Sequence, residues 1–131
     1  MALTTLPFGP VVALVEDDAS VLKGLTRLLR SSGCGVVPFV SAEQFLATRH
    51  EWVLDCLVLD VHFDGMSGLE LAAHLAETDP LCPIILITAL DDPHIRAQAE
   101  ALGYACLRKP LDESELLDAI HKAMEQSQQR R

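Results

Sequence analysis

Several features are missing from this chain of 131 residues, and each absence narrows the field. No apolar run approaches the length needed to cross a bilayer, and "MALTTLPFGP" lacks the basic and apolar regions of a signal peptide, so the expected compartment is the cytoplasm and no membrane contact is expected. Basic residues are scarce: ten against nineteen acids give a formal charge of −9, which disfavours direct nucleic-acid binding, because grip on a phosphate backbone comes from Lys and Arg. There is no C-x-x-C pair. Cys34, Cys56, Cys82 and Cys106 lie more than twenty residues apart, which argues against a zinc framework or a disulfide scaffold and for small buried hydrophobes. The histidines, at 50, 62, 74, 94 and 121, are equally scattered and read as solvated helix or loop positions. No G-x-G-x-x-G follows the first apolar run, so a dinucleotide-binding domain is excluded. Repeats and low-complexity segments are also lacking.

What the chain does have is apolar residues, half of its total, enough to bury the core of one compact domain. They fall into five runs of strand length: "VVALV" (11–15), "GVVPFV" (35–40), "CLVLD" (56–60), "PIILIT" (83–88) and "ACL" (105–107). The first, third and fourth are continuous rather than alternating, as expected of parallel strands covered on both faces. Helical patterns separate them. Val21, Leu22, Leu25, Leu28 and Leu29 share one helical face ahead of Gly33, and "SAEQFLATRH" opens with Ser41 and Gln44 in capping-box spacing. "SGLELAAHLAETDP" is closed by Asp79 and Pro80, Asp92 caps a run with Pro93 at its first position and Gly103 at its end, and Asp112 with Glu115 opens the last helix. Strand and helix alternating five times predict an α/β domain, a doubly wound parallel sheet of five strands in the order 2-1-3-4-5. Its expected extent is 10–125, with 1–9 as a flexible arm and 126–131 as a polar tail or the start of a linker.

Ligands of such sheets gather beyond the carboxyl ends of the strands. There the first strand runs into Glu16, Asp17 and Asp18, the third ends on Asp60, the fourth on Thr88, and the fifth runs into Arg108, Lys109 and Pro110. Singly, each has an ordinary structural role as a helix cap, a strand end or a surface charge. Together, converging carboxylates would repel one another unless a cation offset them, and oxygen donors suit Mg²⁺. An ionised Asp beside Mg²⁺, a Lys and a hydroxyl is equipped to accept a phosphoryl group. On this reading Asp60 is the nucleophile, Glu16 and Asp17 hold the metal, and the main-chain carbonyl at His62 completes its shell. Thr88 hydrogen-bonds a phosphoryl oxygen, Lys109 brings a second positive charge on a mobile stem, and Gly65 and Gly68 let the loop after Asp60 turn tightly.

At "LVEDD", "LVLDV", "GMSGLEL", "ILITA" and "LRKP", taken in order, the sequence resembles the receiver domain of bacterial two-component response regulators, including the stand-alone chemotaxis type and the FixJ and NarL groups. Any one motif is weak, whereas the ordered set is specific and spans ~10–125. The resemblance implies a flavodoxin-like fold and a switch in which a sensor histidine kinase or a histidine phosphotransfer protein donates to Asp60, with Mg²⁺ on Asp17 and Glu16 helping through water. It further implies a cis Lys109–Pro110 bond, a Thr88 that biases the surface of the fourth helix, fifth strand and fifth helix, and a homodimer or output contact through that surface. Ala89 is small enough to leave the acyl phosphate accessible, and His62 and Leu90 occupy positions that tune its hydrolysis.

The chain departs from the family pattern in three places. Cys106 stands where an aromatic residue usually reports the threonine's movement, with Tyr104 as a candidate substitute. The loop from Gly103 is one residue short, and Asp64 replaces a common proline, as another carboxylate near the metal or as a solvated turn residue. Two other readings compete: a degenerate receiver that acts as a phosphorylation-independent interaction module, and an enzyme with an aspartyl-phosphate intermediate. The enzyme reading lacks sequence for a cap and has His62 where a general acid would stand.

Overall fold

The computed structural model describes residues 9–62 and 65–130. Five parallel strands, β1 (Val11–Val15), β2 (Gly35–Phe39), β3 (Cys56–Asp60), β4 (Ile84–Thr88) and β5 (Ala105–Arg108), form one sheet in the order β2-β1-β3-β4-β5. The helices are α1 (Ala19–Ser31), α2 (Ala42–Thr48), α3 (Gly68–Thr78), α4 (Pro93–Leu102) and α5 (Glu113–Gln129). Among the described residues, no helix is long and apolar enough to cross a membrane.

Alternation along the central strands feeds two cores. Ala13, Val15, Leu57, Leu59, Ile84 and Leu86 pack under α2, α3 and α4, together with Phe39, Phe45, Leu71, Leu75 and Ile95. Val12, Leu14, Cys56, Val58, Ile85 and Ile87 point the other way, against Leu25 and Leu29 of α1 and Leu116 and Ile120 of α5. Both sets are apolar because both faces are covered, which is why these strands read as continuous hydrophobic runs.

The helix boundaries follow local chemistry. Asp18 caps α1 by accepting from the amides of Ser20 and Val21, Ser67 and Glu70 form a reciprocal capping box on α3, and Asp92 and Asp112 cap α4 and α5. At α2, Ser41 accepts from Gln44 N as expected, but Gln44 Oε1 reaches back to Val40 N. The helix read over 41–50 stops at Thr48, and Arg49–Glu51 tighten into a 3₁₀ turn. The expected tail beginning at 126 is instead helical: α5 runs to Gln129 because buried Ser127 hydrogen-bonds the carbonyl of Leu81. Gly9, placed in the expected arm, donates to Gly33 O at 2.8 Å. The rest of that arm, 1–8, lies outside the described residues, as does Asp64.

Candidate functional site

Parallel pairing brings the carboxyl ends of β1, β3, β4 and β5 to one edge. Asp60 is the last residue of β3 and pairs with Ile87, Thr88 ends β4 beside Arg108, and Glu16 and Lys109 each follow their strand by one residue. The amide of Val61 donates to Ile87 O and that of Lys109 to Thr88 O, so hydrogen bonding continues past the strand ends and fixes the main chain that carries the site.

Glu16, Asp60 and Thr88 are three of the few buried polar side chains in the described part of the molecule. Lys109 Nζ bridges the two acids, 2.7 Å from Glu16 Oε1 and 3.2 Å from Asp60 Oδ2. Its stem is therefore held between two carboxylates rather than left mobile. The other oxygens are also engaged: Asp60 Oδ1 accepts from His62 N at 3.2 Å, and Glu16 Oε2 from Asp18 N at 3.1 Å. Asp17 is exposed beside them, and one oxygen from each of Glu16, Asp17 and Asp60 lies within 4.8 Å of the others. Burial, reinforced by hydrogen bonding with Asp60, pushes the Glu16 carboxyl up to about 7, against the opposing pull of Lys109. Lys109 is held above its ordinary value because Glu16 and Asp60 outweigh the cost of its burial. Three acids facing one ammonium leave an excess of negative charge. A divalent cation fits that charge and this all-oxygen donor set.

Thr88 turns its hydroxyl to the main chain of Leu90, accepting from the amide at 3.1 Å. Ala89 and Leu90 are exposed beside it, as is His62 across the site. The Lys109–Pro110 bond is cis. Gly65 adopts φ +81°, the left-handed turn expected of it. Gly68 acts differently from the expectation of a turn residue: a Cβ there would stand 2.0 Å from the carbonyl oxygen of Asp60, so its bare backbone lets α3 start against the end of β3.

Cys106 and Tyr104 do not share one role. Cys106 pairs with Leu86 and packs on the same core face, two residues from Thr88 and one strand over. Tyr104 precedes Ala105, the partner of Ile85, and so lies level with Ile84, about 13 Å down the strand from Thr88. It cannot substitute for an aromatic residue beside Thr88, because nearness in sequence becomes distance along an extended strand. A groove of about 540 Å³ runs past Tyr104, Ile84 and α5, at the far end of the strands from the acids.

The remaining cysteines and histidines stay apart from this site. All five histidines are exposed, and all four cysteines are free, Cys34 and Cys56 buried and Cys82 and Cys106 half-buried. Burial pushes every thiol up, Cys82 to about 11, as suits packing residues rather than nucleophiles. Asp18, grouped in the sequence with the acids, takes the ordinary role of a helix cap instead, accepting from Ser20 N and Val21 N at the start of α1, and one residue that sequence reasoning passed over also matters here. Glu43 reaches the loop after Asp60, a contact between distant elements that no local spacing announces.

A family model described as the response regulator receiver domain matches residues 12–121. Nodulation protein W of Bradyrhizobium diazoefficiens is 42% identical over 122 residues, 92% of this chain and 54% of that protein. Transcriptional regulatory protein TdiR of Thauera aromatica is 38% identical over 125 residues, 95% of this chain and 55% of that protein. The chain thus spans about half the length of the curated relatives it matches. Among solved structures, FixJ-N superposes with a TM-score of 0.81 at 31% identity, covering 89% of this chain and 94% of that one. A receiver domain protein from Clostridium thermocellum gives 0.85 at 21% identity, covering 94% and 100%, a likeness of fold.

Proposed function

The chain belongs to the response regulator receiver domain family, and from that premise we propose that it is a phosphorylation switch whose acceptor is Asp60. The observation that carries this reading is the buried Asp60 at a strand's carboxyl end, with Lys109 Nζ 3.2 Å from one oxygen and Glu16 and Asp17 clustered about it.

Glu16, Asp17 and Asp60, with the main-chain carbonyl of His62, would hold Mg²⁺; when bound, the ion supplies positive charge to the phosphoryl oxygens. The amide of His62 orients the Asp60 carboxylate. An Asp60 oxygen forms a bond to phosphorus while the phosphorus–nitrogen bond of a phosphohistidine breaks, its electron pair returning to the imidazole. Lys109 moves from pairing with the two acids to neutralising the transferred group. Thr88 exchanges Leu90 for a phosphoryl oxygen, and that exchange biases the face formed by α4, β5 and α5. With Cys106 in place of an aromatic residue, the bias runs through the β4–β5 main chain and the packing of α4.

The donor is a sensor histidine kinase or a histidine phosphotransfer protein, acting in the cytoplasm. The α4–β5–α5 face, where Arg96 and Arg108 both pair with Asp91, forms a homodimer on phosphorylation. Light scattering would show the dimer, and a monomer in both states would refute it.

Intact-mass spectrometry after incubation with Mg²⁺ and acetyl phosphate tests the switch. One added phosphoryl group, lost with EDTA, is the expected result. If neither acetyl phosphate nor beryllium fluoride leaves an adduct, the chain is a phosphorylation-independent interaction module.

A further inference from the structure

We propose that Glu43 is a positioning residue for the phosphoacceptor loop, an inference that rests on the role of Asp60 given above. Glu43 stands in the first turn of α2, exposed and outside the acid cluster. Its Oε2 nevertheless accepts from the amide of Met66, in the connection from β3 to α3, at 3.2 Å. A Cβ on Gly65 would stand 2.9 Å from that same Oε2, a contact the mobile end of Glu43 could relieve by shifting, so the left-handed glycine leaves the carboxylate undisturbed where it meets Met66 N. An acid in the first turn of a helix is favoured by the helix dipole alone and needs no partner across the fold. Here it has one, and the neighbouring glycine leaves it undisturbed.

The described residues at both ends of the connection are held: His62 N by Asp60 Oδ1 and Val61 O by Gly68 N at 3.0 Å at its base, Ser67 and Glu70 in the cap of α3, and Met66 by Glu43 of α2. This stretch of main chain carries both the amide that orients Asp60 and the carbonyl proposed for the metal. A tether at Met66 limits how far that carbonyl can swing, so Glu43 acts on the site through the loop and touches no reacting atom. Its carboxylate serves as an acceptor, a task that an amide oxygen can perform more weakly.

The test compares the full chain with Glu43→Ala and Glu43→Gln by three readouts: Mg²⁺ affinity by calorimetry, the rate of phosphorylation by acetyl phosphate, and hydrogen exchange at the Met66 amide. Glu43→Ala should bind Mg²⁺ about three- to tenfold more weakly, the size of one modest hydrogen bond, with slower phosphorylation and faster exchange at Met66. Glu43→Gln should stay within about twofold of wild type in all three readouts, because it retains an acceptor. Unchanged Mg²⁺ affinity in Glu43→Ala, even with a lower unfolding midpoint, would overturn the positioning role alone. Failure of the wild type itself to bind Mg²⁺ would overturn this role together with the reading of Asp60.

Discussion

Gly68 and Glu16 show how single residues are constrained by the site rather than by their own element. Gly68 opens α3 with its bare Cα pressed on the carbonyl of Asp60, and an added methyl would collide with backbone that cannot move without displacing Asp60. Gly68→Ala should therefore lower stability by about 3 kcal/mol or more in urea denaturation, at the upper end of what overpacking costs. Glu16 is constrained electrostatically. Its carboxyl rises from an ordinary 4.5 to about 7, so its contribution to stability is fully present below pH 4.5 and is lost as pH rises through 7. Urea midpoints of the Mg²⁺-free protein should carry a downward component across that window, and Glu16→Gln should flatten it. An unchanged slope in the variant would place the titration elsewhere. At this scale the gathering of Glu16, Asp60, Thr88 and Lys109 was legible from the residues at and just beyond each strand's carboxyl end, because the apolar runs stop there on polar and charged residues. The place of Tyr104 was not, because it depends on the β4–β5 register, which pairs Ala105 with Ile85.

The elements are positioned by caps, and their cores decide how far they run. Ser67 and Glu70 satisfy each other's backbone at the start of α3, next to the loop that carries the site. Ser67→Ala should cost about 1 kcal/mol of stability, measured by the shift of the unfolding midpoint. The caps at Ser41, Asp92 and Asp112 could be read from sequence because capping is local. The end of α5 could not. "EQSQQRR" is polar along its length, yet Ser127 is buried against the α3–β4 connection, and only the tertiary fold brings Leu81 to it. Ser127→Ala leaves the Leu81 carbonyl without this donor and should also cost about 1 kcal/mol, with faster amide exchange confined to the last turns of α5.

For the whole molecule, the sheet order brings the ends of four strands to one edge, where the lysine from β5 reaches between the acids from β1 and β3. The order 2-1-3-4-5 puts β1 and β3 side by side, so Glu16, Asp17 and Asp60 meet, while β4 and β5 bring Thr88 and Lys109 from the opposite side. That order was legible because continuous apolar strands separated by amphipathic helices admit few parallel arrangements. The contact of Glu43 with Met66 was not, since nothing in either segment alone requires the other. The identity of the residue that receives the phosphoryl group decides whether this edge of the sheet is a switch. Borohydride reduces an aspartyl phosphate to homoserine, so treating the chain with Mg²⁺ and acetyl phosphate, reducing it and mapping the peptides reads the acceptor directly. Homoserine at position 60 alone, dependent on Mg²⁺, is the expected result. Modification at Asp17, or none on a folded and Mg²⁺-loaded chain, would contradict the role of Asp60.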